Sequence, residues 1–201
     1  MELFNGLPIY KATVNSDNAF MYAISLVEFP ATESNFLAFD EQKKALKFSI
    51  ENEDKRIVRG LVMGANLPIY RIGKGGFEYY IVYDKETIRN MAEKYLKMGF
   101  QNSVDTEHNE NYVKDVDMVQ FFIKDTENGI NPKGFEMYDD GSLFAEFKVN
   151  NDEVWKQIKE GTYKGFSLAG IFDIEEYTND EEQEYNDCVE LINKIIKKLK
   201  R

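Results

Sequence analysis

The chain of 201 residues contains one histidine, His108, and one cysteine, Cys188. If the protein uses an imidazole as general base, that base is His108. A hydroxyl or thiol nucleophile is weak until a neighbouring base takes its proton. The search therefore narrows to nucleophiles that the fold brings to His108. The histidine lies in Gln101-Asn102-Ser103-Val104-Asp105-Thr106-Glu107-His108-Asn109. In an extended segment it shares a face with Thr106 and Val104, while Glu107 and Asp105 point the other way. A second segment, Tyr163-Lys164-Gly165-Phe166-Ser167-Leu168-Ala169-Gly170-Ile171-Phe172, reads as a strand. Phe166, Leu168 and Phe172 take its core side, and Ser167, Ala169 and Ile171 the other. Small Ala169, with Gly165 and Gly170 nearby, leaves room for a substrate backbone. The serine is not on a nucleophile elbow, because Ala169 stands where Gly-x-Ser-x-Gly has its second glycine. On pattern alone an incidental strand serine and a strand-end histidine are the more economical readings. Ser167 and His108 form a candidate pair at this point, and no more.

Other chemistries find less support. One His and one Cys cannot assemble a zinc site of several such ligands within one chain. With 36 acidic residues a carboxylate site for magnesium or calcium is allowed, but no Asp-rich calcium loop is visible. Gly73-Lys74-Gly75-Gly76 lacks the rest of a phosphate loop and reads as a hairpin turn. Cys188 falls in an apolar helical stripe with no base beside it, which suits a buried thiol. No cofactor is expected.

The elements that must position these residues read as many short strands with three helices between them. Residues 9–14 and 20–27 are rich in β-branched and aromatic residues around the turn Asn15-Ser16-Asp17-Asn18, which predicts a hairpin. Residues 28–41, with Pro30, read as a loop or short helical turn. Residues 46–50 and 56–63 predict two strands joined by a charged turn. Residues 68–71 and 77–83 flank the glycine-rich turn as a further hairpin, and 117–124 is a long strand. Apolar residues at Ile88, Met91, Ala92, Tyr95 and Leu96 predict a helix over 84–99, with Asp84 as N-cap and Gly99 past its end. A short helix is predicted over 152–160, stopped by Gly161. A third, over 180–200, carries Cys188 and Leu191 on one stripe and ends in basic residues that suit its dipole.

The hydrophobic fraction of 43%, with 15 Phe and 12 Tyr, supports one sizeable core. The expected organisation is a main domain over 1–175 followed by an acidic linker and amphipathic helix over 176–201. No apolar run approaches the roughly 20 residues of a membrane span, and no basic start with an apolar stretch follows Met1, so neither membrane nor secretory signal is expected. A net charge of −11 argues against nucleic acid as the main partner. A single cysteine fits a reducing compartment.

Six pieces in order resemble the prohead serine proteases of tailed phages, in the branch found in Bacillus-type prophages. They are Ala23-Ile24-Ser25-Leu26-Val27-Glu28-Phe29-Pro30-Ala31, Leu67-Pro68-Ile69-Tyr70-Arg71, Tyr79-Tyr80-Ile81-Val82 before a helix, Gln101-Asn102 followed by Glu107-His108, Asn151-Asp152-Glu153-Val154-Trp155, and Lys164-Gly165-Phe166-Ser167. The resemblance spans about residues 8–172. It implies an α+β fold related to the herpesvirus assemblins, a mostly antiparallel β-barrel with flanking helices. It implies a serine endopeptidase with Ser167 as nucleophile and His108 as base, acting on phage scaffold and major capsid proteins inside the prohead, in the host cytoplasm. A homodimer of the assemblin kind is one option. Related sequences often have an acidic residue two positions after the serine, where this chain has Ala169. Glu28 and Glu107 are then the candidates for a third member, and a simple dyad is the other reading. The alternative function is a structural capsid-assembly protein that keeps the fold without the chemistry.

Overall fold

A computed structural model of the protein describes residues 2–30, 49–52, 55–73 and 75–177. The predicted helix over 180–200, with Cys188, lies outside the described residues, as do most of the loop after Pro30 and residues 46–48.

The fold is α+β, with strands in the majority. In chain order the elements are β1 (Leu3–Phe4), β2 (Leu7–Thr13), β3 (Phe20–Val27), β4 (Ser49–Asn52), β5 (Ile57–Met63), β6 (Ile69–Ile72), β7 (Glu78–Val82), α1 (Lys85–Lys97), β8 (Val104–Thr106), β9 (Val116–Ile123), β10 (Leu143–Val149), α2 (Asp152–Lys159), β11 (Gly165–Ile171) and β12 (Asp173–Glu176). They make three sheets. One runs β1-β2-β7-β6, with β12 also paired to β2; the second runs β4-β5-β10-β9; the third runs β11-β3-β8. Among the described residues no closed barrel is formed. Most pairings are antiparallel, but β2 with β7 and β3 with β8 are parallel.

The hairpins predicted around 51–55 and 73–76 are present as β4–β5 and β6–β7. The one predicted between 9–14 and 20–27 is not. Both strands form, yet β2 enters the first sheet and β3 the third, so Asn15 to Asn18 carries the chain between sheets. Two sets of part-buried side-chain hydrogen bonds favour that crossing over a hairpin. Lys94 of α1 donates through Nζ to the carbonyls of Val14, Ser16 and Ala19, and Asp173 at the start of β12 accepts from the Ser16 N–H and hydroxyl. Backbone groups that would face each other in a hairpin are satisfied this way instead.

β10 was not apparent from the sequence, because Leu143 to Val149 is buried on both faces and shows no clean alternation. It is the middle of the second sheet, and Phe144 and Phe147 are fully buried in it. Each such side chain contributes about 1.5–3 kcal/mol through lost apolar exposure. Phe144 lies in an aromatic group with Phe122, Phe135 and Tyr138, and Phe147 meets Phe166 of β11 edge to face at 5.1 Å.

Helix α1 begins as predicted, with Asp84 accepting from the Thr87 N–H at 2.7 Å. It buries Ile88, Met91, Ala92 and Tyr95, and Gly99 ends it in the left-handed region at φ 79°. A short 3₁₀ turn over Phe100–Asn102 follows, with Phe100 stacked on Phe20 of β3. This contact sets the chain beside β3, where β8 pairs in parallel, Ile24 with Val104, Ser25 with Asp105 and Leu26 with Thr106.

Candidate active site

The third sheet carries the site. Ile24 and Leu26 of β3 and Val104 of β8 are fully buried on its core face. Alternation along the strands then sends Ser25, Asp105 and Ser167 to the other face. Ser25 is the register partner of both Ser167 on β11 and Asp105 on β8, so three polar residues form a row across adjacent strands. All three are buried.

His108 closes over this row. Strand β8 stops at Thr106, and both Glu107 and His108 adopt positive φ, 53° and 54°. The prediction that His108 continues the strand and shares a face with Thr106 is therefore corrected. A regular strand would place the ring away from β3, whereas the left-handed turn folds it back over the sheet. Consecutive non-glycine residues in this region are costly, and several hydrogen bonds hold them. Glu107 N–H donates to Leu26 O, Asn109 N–H to Thr106 O, and Glu110 N–H to Asp105 Oδ2 at 3.0 Å. The Glu107 carboxylate accepts from the Glu28 N–H at 2.6 Å.

The imidazole is bracketed by two hydroxyls. Nε2 lies 2.9 Å from Ser167 Oγ, and Nδ1 lies 2.9 Å from Ser25 Oγ. With the proton on Nδ1, the ring donates to Ser25 and accepts from the Ser167 hydroxyl, which is the tautomer a general base needs. The structure thus brings together the two residues singled out from sequence and adds Ser25. Neither carboxylate considered as a third member reaches the ring: Glu107 is turned to the Glu28 backbone, and Glu28 pairs with Lys164 Nζ at 3.2 Å. Ser25 could not be found from spacing, because only the pairing of β3 with β11 and β8 makes it a neighbour of His108.

A cleft of about 390 Å³ opens beside the histidine, along Leu168, Ala169 and Gly170 of β11, with Tyr22, Tyr83 and Arg71 among its other walls. Gly170 sits where the register of β11 against β3 shifts. A Cβ there would come within 3.0 Å of the Phe20 carbonyl, so glycine permits the close approach. Ala169, two residues after Ser167, lines this cleft.

A buried serine hydroxyl against an imidazole whose far nitrogen is held by a fixed acceptor is the constellation of serine hydrolases. A family model described as "Putative phage serine protease XkdF" matches residues 45–176, a span that includes both His108 and Ser167. The chain belongs to this phage serine protease family. No curated protein and no solved structure matches it.

Proposed function

We propose that the protein is the endopeptidase of prohead maturation, cleaving phage scaffold and major capsid proteins, with Ser167 as nucleophile, His108 as general base and Ser25 as the group that orients the base. The observation that carries this reading is the imidazole held between two serine hydroxyls at 2.9 Å each. As Ser167 Oγ bonds to the scissile carbonyl carbon, its proton passes to His108 Nε2 and the carbonyl electrons move to oxygen. Collapse of that intermediate breaks the C–N bond, and His108 returns the proton to the leaving amine. Water then repeats the sequence on the acyl-enzyme, giving a carboxylic acid and free Ser167. Throughout, Ser25 accepts from Nδ1 and keeps the ring from rotating. An assemblin-like barrel, a homodimer and a location inside the prohead in the host cytoplasm belong to the same reading. The net charge of −11 suits an enzyme that acts before DNA enters.

A structural capsid protein that keeps this fold is the competing reading, favoured by one observation: the partner of Nδ1 is a hydroxyl and not a carboxylate. Co-expression with phage scaffold and major capsid proteins, comparing wild type with Ser167→Ala by intact mass, separates the two. New termini with wild type alone support the protease. Identical masses for both, in purified proheads as well, favour the structural protein.

A further inference from the structure

Ser25 can orient an imidazole, but a hydroxyl carries no charge to stabilise the imidazolium formed during catalysis. We infer that Asp105 supplies it: this buried carboxylate is the fixed counter-charge and positioning group of His108, acting across the sheet face it shares with Ser25 and through the turn that bears the histidine. The inference rests on the Ser167–His108 reading above.

Three observations carry it. Asp105 is register partner to Ser25 on the adjoining strand, on the face that His108 covers, so one ordinary strand spacing of about 4.8 Å separates their backbones. One of its oxygens, Oδ2, accepts from the Glu110 N–H and so ties down the left-handed turn two residues beyond His108. The other, Oδ1, is buried and receives no hydrogen bond from the described residues. A buried acceptor left without a donor is costly and seldom kept without a use. Here it belongs to the register partner of Ser25, whose buried hydroxyl accepts the hydrogen bond from Nδ1 and retains a proton of its own to donate. No hydrogen bond joins Asp105 to Ser25 in the structure, and an electrostatic role requires none. A carboxylate in this position favours the charged imidazole.

Other charged groups face the same space. Glu107 and Glu110 flank His108 on its own turn, and Glu28 at the end of β3 is paired with Lys164. Arg71, Tyr79 and Tyr83 line the cleft from β6 and beyond, with Tyr22 from β3. Of the four carboxylates only Asp105 is buried, and it lines the same cleft as His108, which is itself exposed.

Because His108 is the single histidine, its ring protons can be followed by NMR through a pH titration without any substrate. Asp105→Asn keeps an acceptor for the Glu110 N–H and removes the charge. It should lower the His108 midpoint and slow labelling of Ser167 by a fluorophosphonate on the order of 10- to 100-fold. Glu110→Gln, which removes an exposed charge, should shift the midpoint much less. An unchanged midpoint in Asp105→Asn, or an equal shift in both variants, overturns the inference. Should Asp105→Asn fail to fold, the Asp105 carboxyl carbon is titrated in the wild type. An inflection coincident with that of His108 supports the coupling, and a curve flat through that range overturns it. Absence of Ser167 labelling in the wild type, with the midpoint shift intact, would count against the protease and leave Asp105 coupled to His108.

Discussion

Ser25 and Ser167 face each other as register partners across β3 and β11, and the single imidazole of the chain is hydrogen-bonded to both. Paired residues on neighbouring antiparallel strands hold their side chains on the same face, with Cβ atoms about 4.5–5.5 Å apart. That gap is bridged by a ring with a nitrogen on each side. The two serines are chemically alike, and their surroundings make them different. Ser167 lies on the strand that borders the cleft, while Ser25 is fully buried between two strands.

This asymmetry predicts unequal effects of the same substitution. Ser167→Ala should abolish cleavage and fluorophosphonate labelling. Ser25→Ala should leave a folded protein that still labels, on the order of 10- to 100-fold more slowly, because Nδ1 loses its partner while the nucleophile stays. Labelling rates on variants with unchanged circular dichroism test this. Equal losses from the two substitutions would contradict the assignment of roles.

Glu28→Gln should change the labelling rate by less than about threefold. Its carboxylate pairs with Lys164 at the end of β3 and does not touch the imidazole. Partly exposed pairs of this kind contribute about 0–1 kcal/mol. A large loss of rate would reinstate Glu28 as a member of the site.

The link between β12 and the β2–β3 crossing should weaken in acid. Hydrogen bonds from the Ser16 N–H and hydroxyl hold the Asp173 carboxyl below its ordinary value of 3.8. A carboxyl lowered in the folded state stabilises that state above the unfolded pKa and loses its contribution as pH falls through the folded one. Asp173→Asn should therefore be less stable than wild type near neutrality, with the difference shrinking below pH about 4. Urea midpoints measured at several pH values give the comparison.

Tyr95→Phe should stabilise the protein by about 1 kcal/mol or leave it unchanged. The Tyr95 side chain is fully buried in α1, its hydroxyl receives and donates no hydrogen bond among the described residues, and burial pushes its pKa up. Removing an unpartnered buried hydroxyl while keeping the ring packed against Phe121 relieves a desolvation cost. Urea denaturation reads the sign, and a loss above about 1 kcal/mol would reveal a hidden partner.

What could be seen in the sequence follows from the range of the forces involved. Helix α1 was legible from Asp84 to Gly99 because its stripe, cap and terminating glycine are local. The β4–β5 and β6–β7 hairpins were legible through their turn residues. His108 followed from there being one histidine, and Ser167 was a candidate from its strand with small neighbours, which the family resemblance then singled out. Where partners are distant in the chain, local pattern gave no guide. The residues of β2 and β3 are strand-forming either way, and only the Lys94 and Asp173 contacts send them to different sheets. Ser25 lay within a quoted family segment, but its meeting with His108 depends on two pairings of β3 that no local spacing records. The same distance hid Asp105, which simple alternation set on the side away from His108.

The sequence separations within the site bear on how the enzyme comes into being. His108 meets a serine 83 residues before it and another 59 residues after it. Contacts between such distant residues form only once the intervening chain has condensed, which makes them slow relative to local helices and turns. On the proposed roles, a nascent chain that has released β3, α1 and β8 from the ribosome has a base and its orienting hydroxyl but no nucleophile. Only the docking of β11 along β3 completes the set. Hydrolytic competence would thus arrive with the last core strand, giving newly made protein a built-in delay before it can cut its neighbours.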